Sequence, residues 1–530
     1  MPASPHLLDA LAARLPVWVF GAEEPRAQLA LVRAMRALAQ SPEMRGLGLT
    51  GAADGLAWWA WQRRPWRPEA AELLTDGPAA GLARDCQPEP PGARSDLEEA
   101  LEAADVRLLT RALIPAVRES GPGPLLRAWP LLLALEETPA ARALLDETPF
   151  PAEAEPMAAR LRAEWAALCL PPEEALPVVR ECTHPAFDPW RRWLEAHLLR
   201  GLGERDKAAD LTESLCRDLP GHPHFPHLLH ELRFPRRAPA SLADGDAAAV
   251  LLYCWNKAEL LSQTLDALAA CELGEAHVAL LDNGSTDDTW EVMNRFARRL
   301  GPDRVTLVQL PVNVGAPAAR NWLLSLPEVR ARRFAAFLDD DVLPPEDWLP
   351  KLLAAARDNP DASAIGCRIV AATPPASLQS ADYHLFSPRP DAGEERIAVF
   401  DNASGQPDLG LFTYARPCLS VSGCCHLLRT SALEETGRFD VRFTPTQFDD
   451  LERDMRACLA GQPAFFEGSL AVPHVGHSSL AKSQSPTAVG NVLGNRVKLE
   501  GLFTDQQLRD LAEDDMRRAW ADLRKKLDEL

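Results

Sequence analysis

The sequence predicts an α/β domain built on a mostly parallel sheet flanked by helices, preceded by an α-helical repeat region. Three observations carry that reading. Four short apolar runs, "AAAVLLYCW" (247–255), "HVALLDNG" (277–284), "RVTLVQL" (304–310) and "FAAFLDDD" (334–341), have polar ends. The amphipathic stretches "KAELLSQTLDALAAC", "DDTWEVMNRFARRL" and "AARNWLLSLPEVR" lie between them, an alternation that indicates βαβ units. Before residue 237 the chain instead shows Ala- and Leu-rich segments broken by "SGPGP", "ETPFP", "LPPEE" and "THPAFDP", a helical pattern with short breakers.

Taken in order, residues 1–95 form a region whose fold the sequence leaves open. "VWVF" reads as a strand, "EEPRAQLALVRAMRALAQ" as a helix and "GLGLTG" as a second strand or a turn. The Trp-rich "LAWWAWQRRPW" suits a core, a partner surface, or both. The Gly46–Thr50 spacing is too short for a phosphate loop and reads as a turn. The Pro-rich "CQPEPPGARSD" reads as a linker. Residues 96–236 are helical. Within them Pro189–Pro223 resembles a tetratricopeptide repeat: Leu202-Gly203 closes one helix, Ala208 and Ala209 allow close helix contact, and Pro220 ends the next. Pro156–Pro185 is a looser unit of similar length. Residues 237–246 read as a linker, 247–484 as the α/β domain and 485–530 as a charged helical tail, solvated or packed rather than membrane-anchored.

Composition narrows the partners. The 530 residues are enough for two to four domains. Lys and Arg number 56 against 76 Asp and Glu, a net charge of -20, which argues against nucleic acid or an anionic membrane as partner. Eleven cysteines without a CxxC pair read as reduced thiols, and the N-terminus lacks the pattern of a secretory leader. "LLRAWPLLLAL" is too short to span a bilayer and carries Arg127 and Pro130. The expectation is a cytoplasmic protein with no integral membrane segment.

The chemistry concentrates in "FAAFLDDDVLPPEDW". Two unit charges about 4 Å apart repel by roughly 4 kcal/mol at an effective dielectric near 20, so three adjacent aspartates need water, basic side chains or a cation. In parallel sheets ligands bind at the carboxyl ends of the strands, where Asn256, Asp282-Asn283 and Asp339–Asp341 fall. Six pieces in order resemble the family 2 glycosyltransferases: "LYCWNKAELLSQTLDALAAC", "LLDNGSTDDTWEVM", "NVGAPAARNWLL", "FLDDDVLPPEDWLPKLL", "VSGCCHLLRTSALEETGRFDVRF" with "FDDLERDMRACLAG", and "VPHVGHSS". The match runs from about Ala247 to Ser479.

That resemblance implies a GT-A fold, the nucleotide-diphospho-sugar transferase domain, and a set of roles. Asp341 is the direct ligand of a divalent metal, Mn²⁺ or Mg²⁺, with Asp339 and His474 completing its shell. Asp339 and Asp340 share ribose and metal-shell contacts. Tyr253, Cys254 and Asn256 form the donor-facing loop, although the family more often has Pro-Thr-Tyr-Asn there. Asp282, with Asn283, recognises the base, while Ser285, Thr286 and Asp287 equally suit helix capping. Arg320 lies close to the aspartates or the diphosphate. Asp450 is the general base, with Asp449 the second choice. His477 stands where glycine is usual. The chemistry suits these types: a cation offsets charge on the leaving diphosphate, and a carboxylate takes the acceptor proton.

The expected activity is an inverting, metal-dependent transfer from a UDP-, dTDP- or GDP-linked sugar to a hydroxyl. The acceptor is read as a protein, such as a surface or flagellar subunit, held by the helical repeats. The rival readings are a glycan or lipid-linked acceptor, an inactive binding scaffold on the same fold, and a metal-dependent phosphohydrolase. The segment Thr373–Pro417 is where an acceptor loop would lie, and no motif marks it.

Overall fold

The computed structural model describes residues 5–134, 138–147, 150–236, 247–386, 396–400, 404–475 and 486–530. The expected linker at 237–246 and His477 lie outside the described residues. The four apolar runs form β1 (Ala248–Cys254), β2 (His277–Asp282), β3 (Val305–Gln309) and β4 (Phe334–Leu338), adjacent and parallel in the order β3-β2-β1-β4. β2 and β4 are buried at every position because helices cover both faces of the sheet. The order reverses at β1, which lies between β2 and β4, and this leaves a crevice at their carboxyl ends.

Beyond β4 the sheet becomes mixed. β5 (Ala364–Ala371), β6 (Leu378–Ser380), β9 (Ala415–Cys418), β10 (Cys425–Arg429) and β11 (Ala464–His474) extend it as β4-β10-β5-β11-β9, with β6 on β5. β10 runs against both β4 and β5, whereas β11 runs parallel to β5. β7 (His384–Phe386) and β8 (Ala398–Phe400) pair separately. β11 shifts register between Glu467 and Ala471, and its last residue, His474, arrives beside the Asp339–Asp341 turn.

Residues 5–95 contain a helix where "VWVF" was expected to be a strand, and a turn and bend at Gly46–Leu47 as the second reading of "GLGLTG" expected. "VWVF" enters the short helix Trp18–Gly21, and "GLGLTG" opens the helix Leu49–Arg63 after Gly48 in the left-handed region. The second helix is buried around most of its circumference, so its sequence shows no 3.6-residue stripe to read. Its Trp59 and Trp61 are core residues: Trp59 packs edge-on against Trp193 and Phe225, and Trp61 stacks on Phe187. Helical hairpins follow, Glu155–Cys169 with Pro172–Glu181 and Asp188–Gly201 with Arg205–Asp218, and Ala208 and Ala209 are buried between helices as their size suggests.

The helical region and the α/β domain share one apolar core. The Trp18 indole donates to the Gly221 carbonyl at 2.6 Å, and the Arg416 guanidinium in β9 donates to the Val19 carbonyl at 3.0 Å. The C-terminal helix Asp505–Glu529 closes this seam, with Trp520 against Trp18 and Asp515 buried beside β7. His384 sits between Asp382 at 2.9 Å and Asp515 at 3.1 Å, and Arg416 also pairs with Asp382. The eleven cysteines are all unpaired, and among the described residues no helix is long and apolar enough to cross a membrane.

Burial alone would push the His384 imidazole down, but Asp515 and Asp382 outweigh it and hold its pKa above the ordinary value. A pKa raised in the folded state adds stability that is complete below the unfolded value, about 6.5, and is lost as pH rises through the folded one. The urea midpoint is therefore expected to fall with pH across that window, and Asp515→Asn to flatten the fall. An unchanged slope in the variant would contradict the assignment. Asp515→Ala, which strands a buried charge, is expected to cost about 3 kcal/mol.

Candidate active site

The loops after β1 and β4, the loop before β10 and the end of β11 surround a cavity of about 340 Å³. Into it face Tyr253, Arg320, Asp339, Asp341, Asp449, Asp450 and His474, all chosen from sequence, together with Lys257, Gln379 and Tyr383, which were not. The turn after β4 is locked to β11: Leu343 N–H donates to the Pro473 carbonyl at 2.8 Å, and Val475 N–H to the Asp341 carbonyl at 2.8 Å. This pairing sets the His474 Nε2 atom 2.8 Å from Asp341 Oδ1.

The crowded carboxylates have two fixed counter-charges. The Lys257 ammonium donates to Asp340 Oδ1 at 2.9 Å and Asp341 Oδ2 at 2.8 Å. Arg320, on the helix Ala316–Ser325, bonds Asp449 Oδ2 at 2.7 Å, stands 3.8 Å from Asp339 Oδ1, and lies over the Phe439 ring. Burial pushes Asp339 up to about 6, and the adjacent Asp341 and Asp340 charges add to the rise against the pull of Arg320. Burial also raises Asp340 and Asp449. Asp341 moves the other way, because His474 and Lys257 outweigh its burial.

Asp449 and Asp450 open the helix Asp449–Leu459, and the residues before them, Gln447 (φ 83°) and Phe448 (φ 69°), are both left-handed. Such backbone in non-glycine residues costs energy and persists only where the surroundings hold it. Here Asn495, buried on the helix Pro486–Leu502, donates to the Phe443 carbonyl at 2.8 Å and the Thr446 carbonyl at 2.7 Å. The two aspartates then differ. Asp449 is consumed by Arg320. Asp450 accepts from Leu451 N–H at 2.8 Å and Gly423 N–H at 3.0 Å. A Cβ at Gly423 would come within 2.7 Å of Asp450 Oδ2 and 2.9 Å of Arg320 Nη2, so a side chain there would displace the ends of both.

The remaining residues chosen for the donor hold loops around the cavity. Asn256 Oδ1 accepts from Thr286 N–H at 2.7 Å, joining the turns after β1 and β2. Asp282 accepts from Ser285 N–H at 2.9 Å and the Gln309 amide at 3.2 Å. Asn283 bonds Asn313 and accepts from Val314 N–H, each at 3.0 Å. Gly284 (φ 77°) lets that turn lie against Val312, whose backbone a Cβ would meet at 2.4 Å. Cys254 is buried toward Thr289. Asp340, also buried, is bound by Lys257 and does not line the cavity. Lys257 directly follows Asn256, a position that could have drawn attention. Gln379 and Tyr383 lie in the stretch that carried no motif.

The donor set fits a hard divalent cation. Gln379 Oε1 is 2.5 Å from His474 Nδ1, so Nδ1–H donates there and the ring presents Nε2 to Asp341. Two acceptors 2.8 Å apart need a shared proton or metal between them. Asp339, Asp341 and His474 do not all lie within 4.8 Å of one another, so the residues that could hold a cation together are Asp341 and His474. Elsewhere Glu23, His222 and His224 have metal-ligand spacing, but Glu23 already bonds His222 at 2.7 Å and lies 3.5 Å from Arg63.

Residues 249–437 match the family model described as glycosyl transferase family 2, so the α/β domain is a glycosyltransferase domain of that family. Solved structures that the chain is similar to in part include TarS 1-349 of S. aureus, at 14% identity and TM-score 0.34, covering 52% of this chain and 72% of that one. GalNAc-T7 with UDP, GalNAc and Mn²⁺ is 14% identical with TM-score 0.39, covering 49% and 48%. The mannosyltransferase PcManGT of Pyrobaculum calidifontis with GDP-Man and Mn²⁺ is 18% identical with TM-score 0.36, covering 58% and 83%. No curated protein matches the sequence.

Lys257 occupies the carboxylate face that a metal ion would need. Lys257→Met is therefore expected to raise Mn²⁺ affinity, titrated by electron paramagnetic resonance without donor, by about tenfold, or about 1.4 kcal/mol. Equal affinity in both proteins would show that Lys257 does not occupy the metal-facing side.

Proposed function

We propose that the chain moves a sugar from a nucleoside-diphosphate donor (UDP-, dTDP- or GDP-linked) to an acceptor hydroxyl, with inversion at the anomeric carbon. The observation that carries this reading is the placement of Asp450. It lines the cavity of the Asp339–Asp341 turn and also a second cavity of about 390 Å³ on its other side, between β8 and the helix Pro486–Leu502. The donor fills the first and the acceptor enters from the second, so the carboxylate stands where the two meet.

In this mechanism the acceptor oxygen attacks the anomeric carbon, the bond from that carbon to the diphosphate oxygen breaks, and the acceptor proton passes to Asp450. Asp341 and His474 would hold Mn²⁺ or Mg²⁺, which when bound would offset charge on the diphosphate. Arg320 and Lys257 keep the surrounding carboxylates compensated. Asp449, bonded to Arg320, positions the helix that carries the base. Among the described residues Asp450 is the one carboxylate that lines both cavities, and a single base at their junction fits inversion.

The acceptor divides two readings. A protein acceptor guided by the helical repeats would have to meet them away from the reacting end, because no residue of 96–236 lines either cavity among the described residues. The second cavity has apolar and aromatic walls that include Ile397, Val399, Phe448 and Leu499. This favours the alternative, a glycan or lipid-linked acceptor, whose sugar faces or aglycone would cover those walls.

Asp450→Asn is expected to lower sugar transfer by about 10²–10⁴-fold while leaving donor affinity within about twofold. Nucleoside diphosphate release across a nucleotide-sugar panel, with Mn²⁺ and an acceptor mixture, reads the first; calorimetry reads the second. Full turnover in the variant would remove Asp450 from the mechanism.

A further inference from the structure

A third cavity, of about 190 Å³, opens where the helical region meets the far edge of the sheet. It shares no lining residue with the other two. Trp193 and Arg200 reach it from the helix Asp188–Gly201, and Arg205 from the start of the next helix. Glu231 and Arg236 approach from the end of the helical region, and Ser469 from the irregular part of β11.

The arginines around it are not equivalent. Arg236 is bound to Glu467 at 2.7 Å and Asp358 at 3.0 Å. Arg368, behind the wall, pairs with Asp408 and donates to the Gly468 carbonyl at 2.7 Å. The nearby acids Asp408 and Glu467 are therefore already neutralised. By contrast, the side chains of Arg200 and Arg205 make no hydrogen bond and no ion pair among the described residues. Arg200 is partly buried, and burial with the Arg368 charge pulls it down to about 10 against the smaller opposing pull of Asp408 and Glu231. Glu231 is the one acid among the lining residues, and burial pushes it up to about 7. His197, also lining the cavity, is held down to about 4 by burial and is neutral. In a chain of net charge -20, a cavity with two uncommitted guanidinium groups is unusual, and each offers the donor fork that suits a phosphate.

We propose that this cavity binds the phosphate group of a small phosphorylated molecule, with Arg200 and Arg205 on its oxygens and Trp193 against its carbon skeleton. One wall comes from the helical hairpin and the other from β11 and the loop before β9, so the ligand bridges the two parts of the chain. The assignment does not rest on the glycosyl-transfer reading, since none of these residues touches the carboxylate site.

The test is calorimetry of the full chain with inorganic phosphate, glucose 1-phosphate and glucose at constant ionic strength. Glucose 1-phosphate is expected to bind more tightly than phosphate, and glucose not at all. Arg205→Gln, at an exposed position, and the Arg200→Gln/Arg205→Gln pair are expected to weaken binding, the pair by about tenfold or more. Thermal unfolding without ligand verifies that the variants fold, and a phosphate-dependent rise in Tm should vanish in the pair. The proposal is overturned if neither phosphate compound binds up to about 10 mM, or if binding persists unchanged in the double variant and so belongs to another site.

Discussion

The site is governed by repulsion among five carboxylates gathered at one end of the sheet, Asp339, Asp340, Asp341, Asp449 and Asp450. Each pair at close range opposes folding by a few kcal/mol at the effective dielectric of a protein interior. Two cations fixed by the fold make the cluster tolerable. Arg320 joins Asp449 to the Asp339 side of the β4 turn, and Lys257 spans Asp340 and Asp341. These pairings also sort the acids. Asp340 and Asp449 are taken up by fixed partners, Asp341 is turned toward His474, and Asp450 is left with backbone donors alone at the junction of two cavities. The division of labour follows from which acid has a permanent counter-charge.

Much of this was legible because parallel strands impose strong patterns. A strand buried on both faces reads as a continuous apolar run, and the polar residues that end it mark the ligand edge, which is why β1, β2, β4 and the Asp339–Asp341 turn could be placed. His474 was found through its motif, and the β11 register explains how it reaches Asp341 from 133 residues away. Other features left no periodic trace. Gln379 sits on a three-residue strand in a stretch without motif, and only its 2.5 Å approach to His474 shows its part in setting the ring. Lys257 lay within a recognised loop, but nothing local says that its ammonium reaches across to the next strand. The helix Leu49–Arg63 was missed because a segment buried around most of its circumference has too narrow a polar face to reveal its period.

The helical region is structurally committed to the α/β domain. β9 would otherwise be an exposed sheet edge, open to pairing with another chain. Val19 and the C-terminal helix meet it instead, through Arg416 and through Lys526, which donates to the Ala415 carbonyl. The buried Asp382–His384–Asp515 cluster lies in the same seam. The first and last segments of the chain thus converge on one edge of the sheet, opposite in role to the open crevice beside β1 and β4. The segment Arg396–Phe400 and the helix Pro486–Leu502, outside the six motifs, supply much of the wall that the acceptor would meet.

The central claim is that Asp341 and His474 form a metal-dependent diphosphate site. It is tested most directly by calorimetric titration of nucleoside diphosphates, UDP, dTDP and GDP, into the protein with Mn²⁺ and again with a chelator. The account predicts that at least one binds with Mn²⁺, that the chelator weakens it by about tenfold or more, and that Asp341→Ala removes the metal effect. Equal affinity with and without metal, or a metal effect that survives in Asp341→Ala, would contradict it.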